Sequence, residues 1–188
     1  QKAVERMSSM RQGDDIMTEE WIVTTKDGKQ KAICISTSVL KEDNDEIYAL
    51  ALIQDVSERK SYIDEIVKTR ELFQKTFESQ LDAIFILDAG KPAKIMDCNP
   101  AALKMFGYQR EELTGQAPEI LHVDRKYLKS FSSQLFHAIE SKGFFRLKNF
   151  KMKRRDGSVF YTVHSVMPLI DENSDLFGWV SVINDITE

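Results

Sequence analysis

The sequence predicts an α+β domain, a single antiparallel sheet with its helices on one face, preceded by part of a second domain of the same kind. Three observations predict it. A meander of alternating apolar strands is written twice, from Trp21 to Arg59 and from Phe150 to Glu188. Its Asp27-Gly28 turn returns as Asp156-Gly157, and its closing Asp55 as Asp185, each about 130 residues on. Between the copies, Asn99-Pro100 opens a helical region that Gly107, Gly115 and Gly143 punctuate. Repeats this widely spaced are domain duplications, because stacked repeat units recur every ~20–50 residues. Short strands with helices gathered between them fold as a sheet covered on one side. The spacing implies that residue 1 falls inside the first domain.

The elements follow in order. Residues 1–12 read as the end of a helix stopped by Gly13. Strands are predicted near 20–26, 30–40 and 47–54. The first two meet across Lys26-Asp27-Gly28-Lys29, where Asp-Gly supplies the positive φ of a tight hairpin. The polar run from Lys41 to Glu46 joins the next two. From Ser57 to about Phe77 there is neither Gly nor Pro, and Val56, Ile63, Ile66, Phe73 and Phe77 follow a heptad seam that Arg59 and Arg70 interrupt. Such a seam packs on its own domain or pairs with a second copy as a parallel coil, whose rotation carries a signal.

A second sheet begins with strands at 81–88 and 93–98 around Ala89-Gly90-Lys91-Pro92. Asn99 then caps free amides and Pro100 fits the first helical position. That helix ends at Gly107, a shorter one ends at Thr114-Gly115, and a longer one runs from Asp124 to Lys142. Leu128, Phe131, Leu135, Ala138 and Ile139 share one face of the longest. Strands follow at 144–154, 158–169 and 176–184, turning at Asp156-Gly157 and between Asp171 and Asp175. The chain thus divides into 1–57, a connecting helix at 58–75, and a whole domain at 76–188.

Composition limits function. With 42% hydrophobic and 30% charged residues the chain is neither disordered nor membranous, and no apolar run reaches the ~18 residues of a span. A net charge of −4 disfavours a nucleic-acid surface. The basic cluster Lys148, Lys151, Lys153, Arg154 and Arg155 alternates with apolar residues, as the wet edge of a strand does. Cys34 and Cys98 lack metal-ligand spacing and suit a reducing cytoplasm. No nucleophile triad, phosphate-cradling Gly loop or metal cluster is present, and Glu111-Glu112 at adjacent positions diverge on a helix. No catalytic or metal-binding residue is expected.

The stretch from Asn99 to Gly115, with Asn99, Ala101, Gly107-Tyr108, Glu112 and Gly115 in place, resembles the core motif of PAS sensor domains. Arg155-Asp156-Gly157-Ser158 resembles that family's hairpin, and Asp185-Ile186-Thr187-Glu188 its closing motif. Residues 14–59 are similar to the family's last three strands and closing motif only, here Asp55-Val56-Ser57-Glu58. The resemblance implies a five-stranded sheet in spatial order 2-1-5-4-3, cupping a pocket against the helices. It also implies that a partial and a complete PAS domain stand in tandem, joined by the helix.

By the same resemblance, the pocket-facing residues are Lys148 and Phe150 on the third strand, Phe160, Thr162, His164 and Val166 on the fourth, and Trp179, Ser181 and Ile183 on the fifth. Flavin photosensory relatives carry a reactive Cys where this chain has Pro118, and a Gln where it has Ile183, so photoadduct chemistry is not expected. Haem-binding relatives place a His on the long helix where Ser132 stands, so helix-His haem is not expected either. His137 reads as a solvent-side residue, and His122 as a surface or capping residue. His164 points into the cup, where Lys148, Thr162 and Ser181 would join it on a small anionic or hydroxylated ligand. A non-covalent flavin stays open, as does a packed, ligand-free core in which His164 meets a backbone carbonyl.

Asp55 and Ser57, and Asp185 and Thr187, are the expected relay between each last strand and the following helix. The implied protein is a cytoplasmic sensory region, feeding a histidine kinase or a diguanylate cyclase on the same polypeptide. It would be dimeric through the connecting helix and the PAS sheet or flanking helices, without nucleic-acid or membrane contact. The alternative is a structural dimerisation scaffold. Ile22, Ile33, Ile35, Leu50 and Leu52 of the first meander would be partly exposed unless a second chain or a missing front half covers them.

Overall fold

The computed structural model describes residues 17–41 and 47–187; the helix expected at 1–12 lies outside them. The chain divides into two compact units at Glu71/Leu72. In the first, β1 (Met17–Thr24), β2 (Gln30–Lys41) and β3 (Ile47–Asp55) form an antiparallel sheet in order β1-β2-β3. The first hairpin closes as its turn residues require: Gly28 takes φ 79, and its amide donates to the Thr25 carbonyl at 2.9 Å. The apolar side chains of these three strands are only partly covered by the described residues. Ile22, Leu50, Leu52 and Ile53 are each more than half exposed, while Ile33 and Ile35 are half-buried.

Helix α1 (Ser57–Ser79) leaves this sheet. Only the ends of its apolar seam are buried, at Val56 and Phe77. Ile63, Ile66 and Phe73 are 48%, 68% and 59% exposed, so the described residues do not cover the middle of the seam.

The second unit starts with β4 (Ala83–Asp88) and β5 (Ile95–Cys98), passes through α2 (Pro100–Phe106), α3 (Arg110–Leu113), a 3-10 turn (Pro118–Leu121) and α4 (Arg125–Lys142), and ends in β6 (Phe145–Lys153), β7 (Val159–Ile170) and β8 (Leu176–Asp185). The sheet order is β5-β4-β8-β7-β6, antiparallel throughout, which is the expected 2-1-5-4-3. Alternate residues of the strands face one core: Ala83, Phe85 and Leu87 from β4, Phe160 and Val166 from β7, Ile183 from β8. Ala102, Phe106, Leu113, Leu121 and Phe131 close it from the helical side. The central pairing of β4 with β8 is tight enough at Gly178 that a methyl carbon there would lie 2.6 Å from the Leu87 carbonyl oxygen.

Asn99 pins the helices to the sheet. It is fully buried, and its Oδ1 accepts from the amides of Ala102 and Ile84, both at 3.0 Å, while its Nδ2 donates to the Asp82 carbonyl at 2.9 Å. The first of these is the predicted helix cap; the other two hold β4 against the start of α2. Gly107 ends α2 in the left-handed region at φ 76, with its amide on the Leu103 carbonyl.

Candidate functional site

The helix-facing side of the second sheet carries a polar group inside an aromatic cluster. Thr162 and His164 of β7 and Ser181 of β8 are buried, among Phe150, Phe160 and Ile183. His164 Nε2 lies 2.6 Å from Ser181 Oγ, and its ring stacks on Phe131 of α4 with centroids 4.6 Å apart. Thr162 donates its hydroxyl to the Phe150 carbonyl at 2.9 Å, so that proton is committed to the fold. Of the sequence-predicted pocket residues, the structure therefore brings together His164, Ser181, Thr162, Phe150, Phe160 and Ile183. Trp179 stands at the rim, half-buried and edge-on to the exposed Phe136. His164 meets a side-chain hydroxyl, not the backbone carbonyl that a self-satisfied core would supply.

Two placements differ from expectation. Lys148 is exposed rather than pocket-facing. The pairing of β6 with β7 shifts register between Leu147 and Phe150, and Asn149 takes φ 56. That bulge inserts one residue, so strand alternation reverses across it and turns Lys148 outward while Phe150 stays in. His122 is not a surface residue. It is 3% exposed, bridges to Met152 of β6 as an isolated antiparallel pair, and packs on Phe131 and Phe150 at 5.4 and 5.5 Å. His137 of α4 is exposed.

His122 and His164 thus share the same two aromatic neighbours, Phe131 and Phe150. Burial pushes the His122 imidazole down to about 4. Burial, with repulsion from His122, pushes His164 down to about 3. Both rings are neutral near pH 7. In each, Nδ1 is buried and meets no hydrogen-bonding group among the described residues. No group of three or more metal-ligating side chains occurs among the described residues.

A second polar assembly links this core to the end of the domain. Arg154, just before the β6–β7 turn, lies with its guanidinium 3.8 Å from the centroid of the buried Phe160 ring. It donates to the Met105 carbonyl of α2 and pairs with Asp185 at 2.7 Å. Asp185 also accepts from the Thr187 amide at 2.9 Å, and Thr187 Oγ1 accepts from the Tyr161 amide at 3.1 Å. Burial pushes the Asp185 carboxyl up, but the Thr187 amide and Arg154 outweigh it and hold it below the ordinary value. The first unit closes similarly. Asp55 accepts from the Ser57 amide at 3.0 Å and pairs with Lys31 at 2.6 Å, and Ser57 Oγ accepts from the Ala32 amide at 2.9 Å. Lys31, then Ser57, hold the Asp55 carboxyl well below its usual range.

With this geometry in hand, comparison with known proteins places the fold. The PAS domain family model matches residues 81–188. The chain belongs to the PAS domain family. No curated protein matches it. Among solved structures it is similar to the PAS domain of a Colwellia psychrerythraea protein, with 28% identity over 65% of this chain and 98% of that one, and a TM-score of 0.57. It is also similar in fold to the PAS domain, in complex with ethanol, of a LuxR-family transcriptional regulator from Burkholderia thailandensis (19% identity, 61% and 96% covered, TM-score 0.52). An RNA-binding light-oxygen-voltage receptor aligns over 92% of this chain and 78% of its own length at 12% identity, with a TM-score of 0.54. PAS domains are sensory, regulatory modules without catalysis of their own. No helix among the described residues is long and apolar enough to cross a membrane.

Proposed function

We propose that the chain is the sensory region of a cytoplasmic signal-transduction protein, with the rear of one PAS domain at 1–57 and a complete one at 76–188. The observation that carries this reading is Arg154. One guanidinium touches a ring of the core, the end of the helix that covers the core, and the carboxylate at which the domain ends. A change in the core that moves Phe160 or the α2 terminus therefore changes the hold on Asp185, and with it the direction of the chain beyond Thr187. The first unit supports the tandem reading, because Asp55 and Ser57 make the same closing hydrogen bonds at the start of α1.

In this mechanism ligand, redox or partner input alters the packing of one sheet. The closing motif passes the change to the next helix, and two copies of α1, paired through Ile63, Ile66 and Phe73, carry it onward. Dimerisation covers apolar side chains that the described residues leave exposed. The output domain we assign is a histidine kinase on the same polypeptide, the commonest company of tandem PAS regions.

The test is replacement of Asp185 by Asn in the intact parent. A loss of signal response at unchanged folding and unchanged core binding is the expected result. A normal response rejects the relay.

A further inference from the structure

We propose that the core of the second unit binds a small uncharged molecule carrying both a hydrogen-bond donor and an acceptor, a hydroxyl or primary-amide compound, through the Nδ1 atoms of His122 and His164. The inference rests on the sensory reading of this core and names its ligand class.

Two orphaned ring nitrogens carry the argument. A buried polar atom without a partner costs about 1–3 kcal/mol, and native cores hold few of them. Here two occur in one cluster, on rings that share Phe131 and Phe150 as neighbours, and one guest would serve both. The elements that carry them are independent. His122 follows the 3-10 turn, where its bridge to Met152 fixes it, and His164 stands in the middle of β7. A guest touching both would tie the helical side of the core to the sheet.

The chemistry of the pair selects the guest. The His164 Nε2 to Ser181 Oγ contact can run in either direction. If Ser181 donates, Nδ1 carries the proton and is a donor; if Nε2 donates, Nδ1 is an acceptor. A site that offers either polarity is matched by a group that itself does both.

Charge is excluded by the surroundings. Among the described residues the buried polar ones are Asn99, His122, Thr162, His164 and Ser181, none with a fixed charge, so a carboxylate or ammonium guest would lie among them uncompensated. Size is limited by the rings. Phe131 stands 5.0 Å from Phe150 and 5.2 Å from Phe145, centroid to centroid, which is direct ring packing and confines any guest to a few heavy atoms.

The test uses the 188-residue chain with ¹⁵N-labelled histidine, titrated with acetamide and with ethanol, and with acetate as the charged comparator. Saturable shifts of the His122 and His164 Nδ1 resonances are expected with acetamide or ethanol, with no change at His137 and none with acetate. His164→Leu should weaken acetamide binding about tenfold or more, as expected when a buried hydrogen-bond partner is removed, and His137→Gln should leave it unchanged. Ring nitrogens that show contact with water only, at every probe concentration, overturn the proposal. So does acetate binding as well as acetamide, or undiminished affinity in His164→Leu. The titration of the unaltered chain decides the matter even where that variant does not fold. Each of these failures leaves the Asp185 relay to its own test, and a normal response of Asp185→Asn in the parent removes the relay whether or not acetamide binds.

Discussion

The two closing segments, Asp55-Val56-Ser57 and Asp185-Ile186-Thr187, are built on one backbone lattice and locked by different cations. In both, the aspartate accepts the amide two residues on, at 3.0 and 2.9 Å. The middle amide reaches a carbonyl of the adjacent strand, from Val56 to Ala32 and from Ile186 to Tyr161. The hydroxyl then accepts the amide of that same strand residue. In the first unit the residue before Ala32 is Lys31, which supplies the charge from the strand itself. In the second, the residue before Tyr161 is Phe160, buried in the core, and the charge comes from Arg154 across the hairpin. A strand position that faces solvent serves as its own cation. One that is needed for packing must borrow a cation, and the borrowed Arg154 brings the end of α2 to the exit of the domain.

The units should differ most in acid. All three histidines of the chain, His122, His137 and His164, lie in the second. The folded state holds His122 at about 4 and His164 at about 3, against 6.5 ordinarily. Below 6.5 the unfolded chain therefore binds more protons than the folded one. Stability is complete above that pH and falls as pH drops from 6.5 towards 4 and 3. At pH 5 each ring removes about 2 kcal/mol, or about 4 kcal/mol for the pair. Amide hydrogen exchange at pH 7 and pH 5, corrected for intrinsic rates, should show β7 losing protection while β2 keeps its own. Equal losses in both sheets would contradict the assignment.

Next in size is Asn99→Ala. It leaves two amides and a carbonyl of the β4–α2 junction without their side-chain partner, and about 3 kcal/mol should be lost. A denaturant melt with β2 and β7 probes should show the loss in the second unit alone, since the first has no such pin among its described residues. A shift of less than about 1 kcal/mol would mean that the cap is replaced by water.

How much of this was legible depended on whether the cause lay near in sequence. The Asn99 cap was readable because capping is local, and the turns at Gly28 and Gly157 because positive φ selects glycine. The strands were readable from alternation, and their spatial order from the family resemblance. Lys148 was misplaced because a single inserted residue reverses alternation, and the only trace of it is Asn149, a residue type that tolerates positive φ. His122 was missed because its burial comes from a bridge to Met152, about thirty residues away, which no local pattern encodes. Arg154 lay within a basic run that reads as solvated edge. Its distinguishing context is the core phenylalanine on the far side of the turn, at the position where the first copy has Lys31.

Arg154→Met tests the borrowed cation. Its partners Asp185 and the Met105 carbonyl lose a charged donor in a half-buried setting, for an expected cost of about 2 kcal/mol. The Asp185 carboxyl should then titrate higher, because Arg154 is among the groups that hold it down. Carboxyl NMR reads this directly. An unmoved Asp185 would leave Thr187 as the residue that holds its carboxyl down and detach α2 from the exit.

The smallest effect is expected from Lys31→Met, the matching change in the first unit. The Lys31–Asp55 pair is about half exposed on both sides, and exposed ion pairs contribute little because water and salt screen them. The Ser57 amide, the Ser57 hydroxyl and the Val56 amide would still hold the closing turn. The melt of the first unit should therefore stay within error of the parent, while the Asp55 carboxyl rises toward its ordinary value as its largest stabilising partner is removed. A clear drop in the melt would mean that the cation is integral to the lattice in both copies, and that Arg154 differs from Lys31 only in reach.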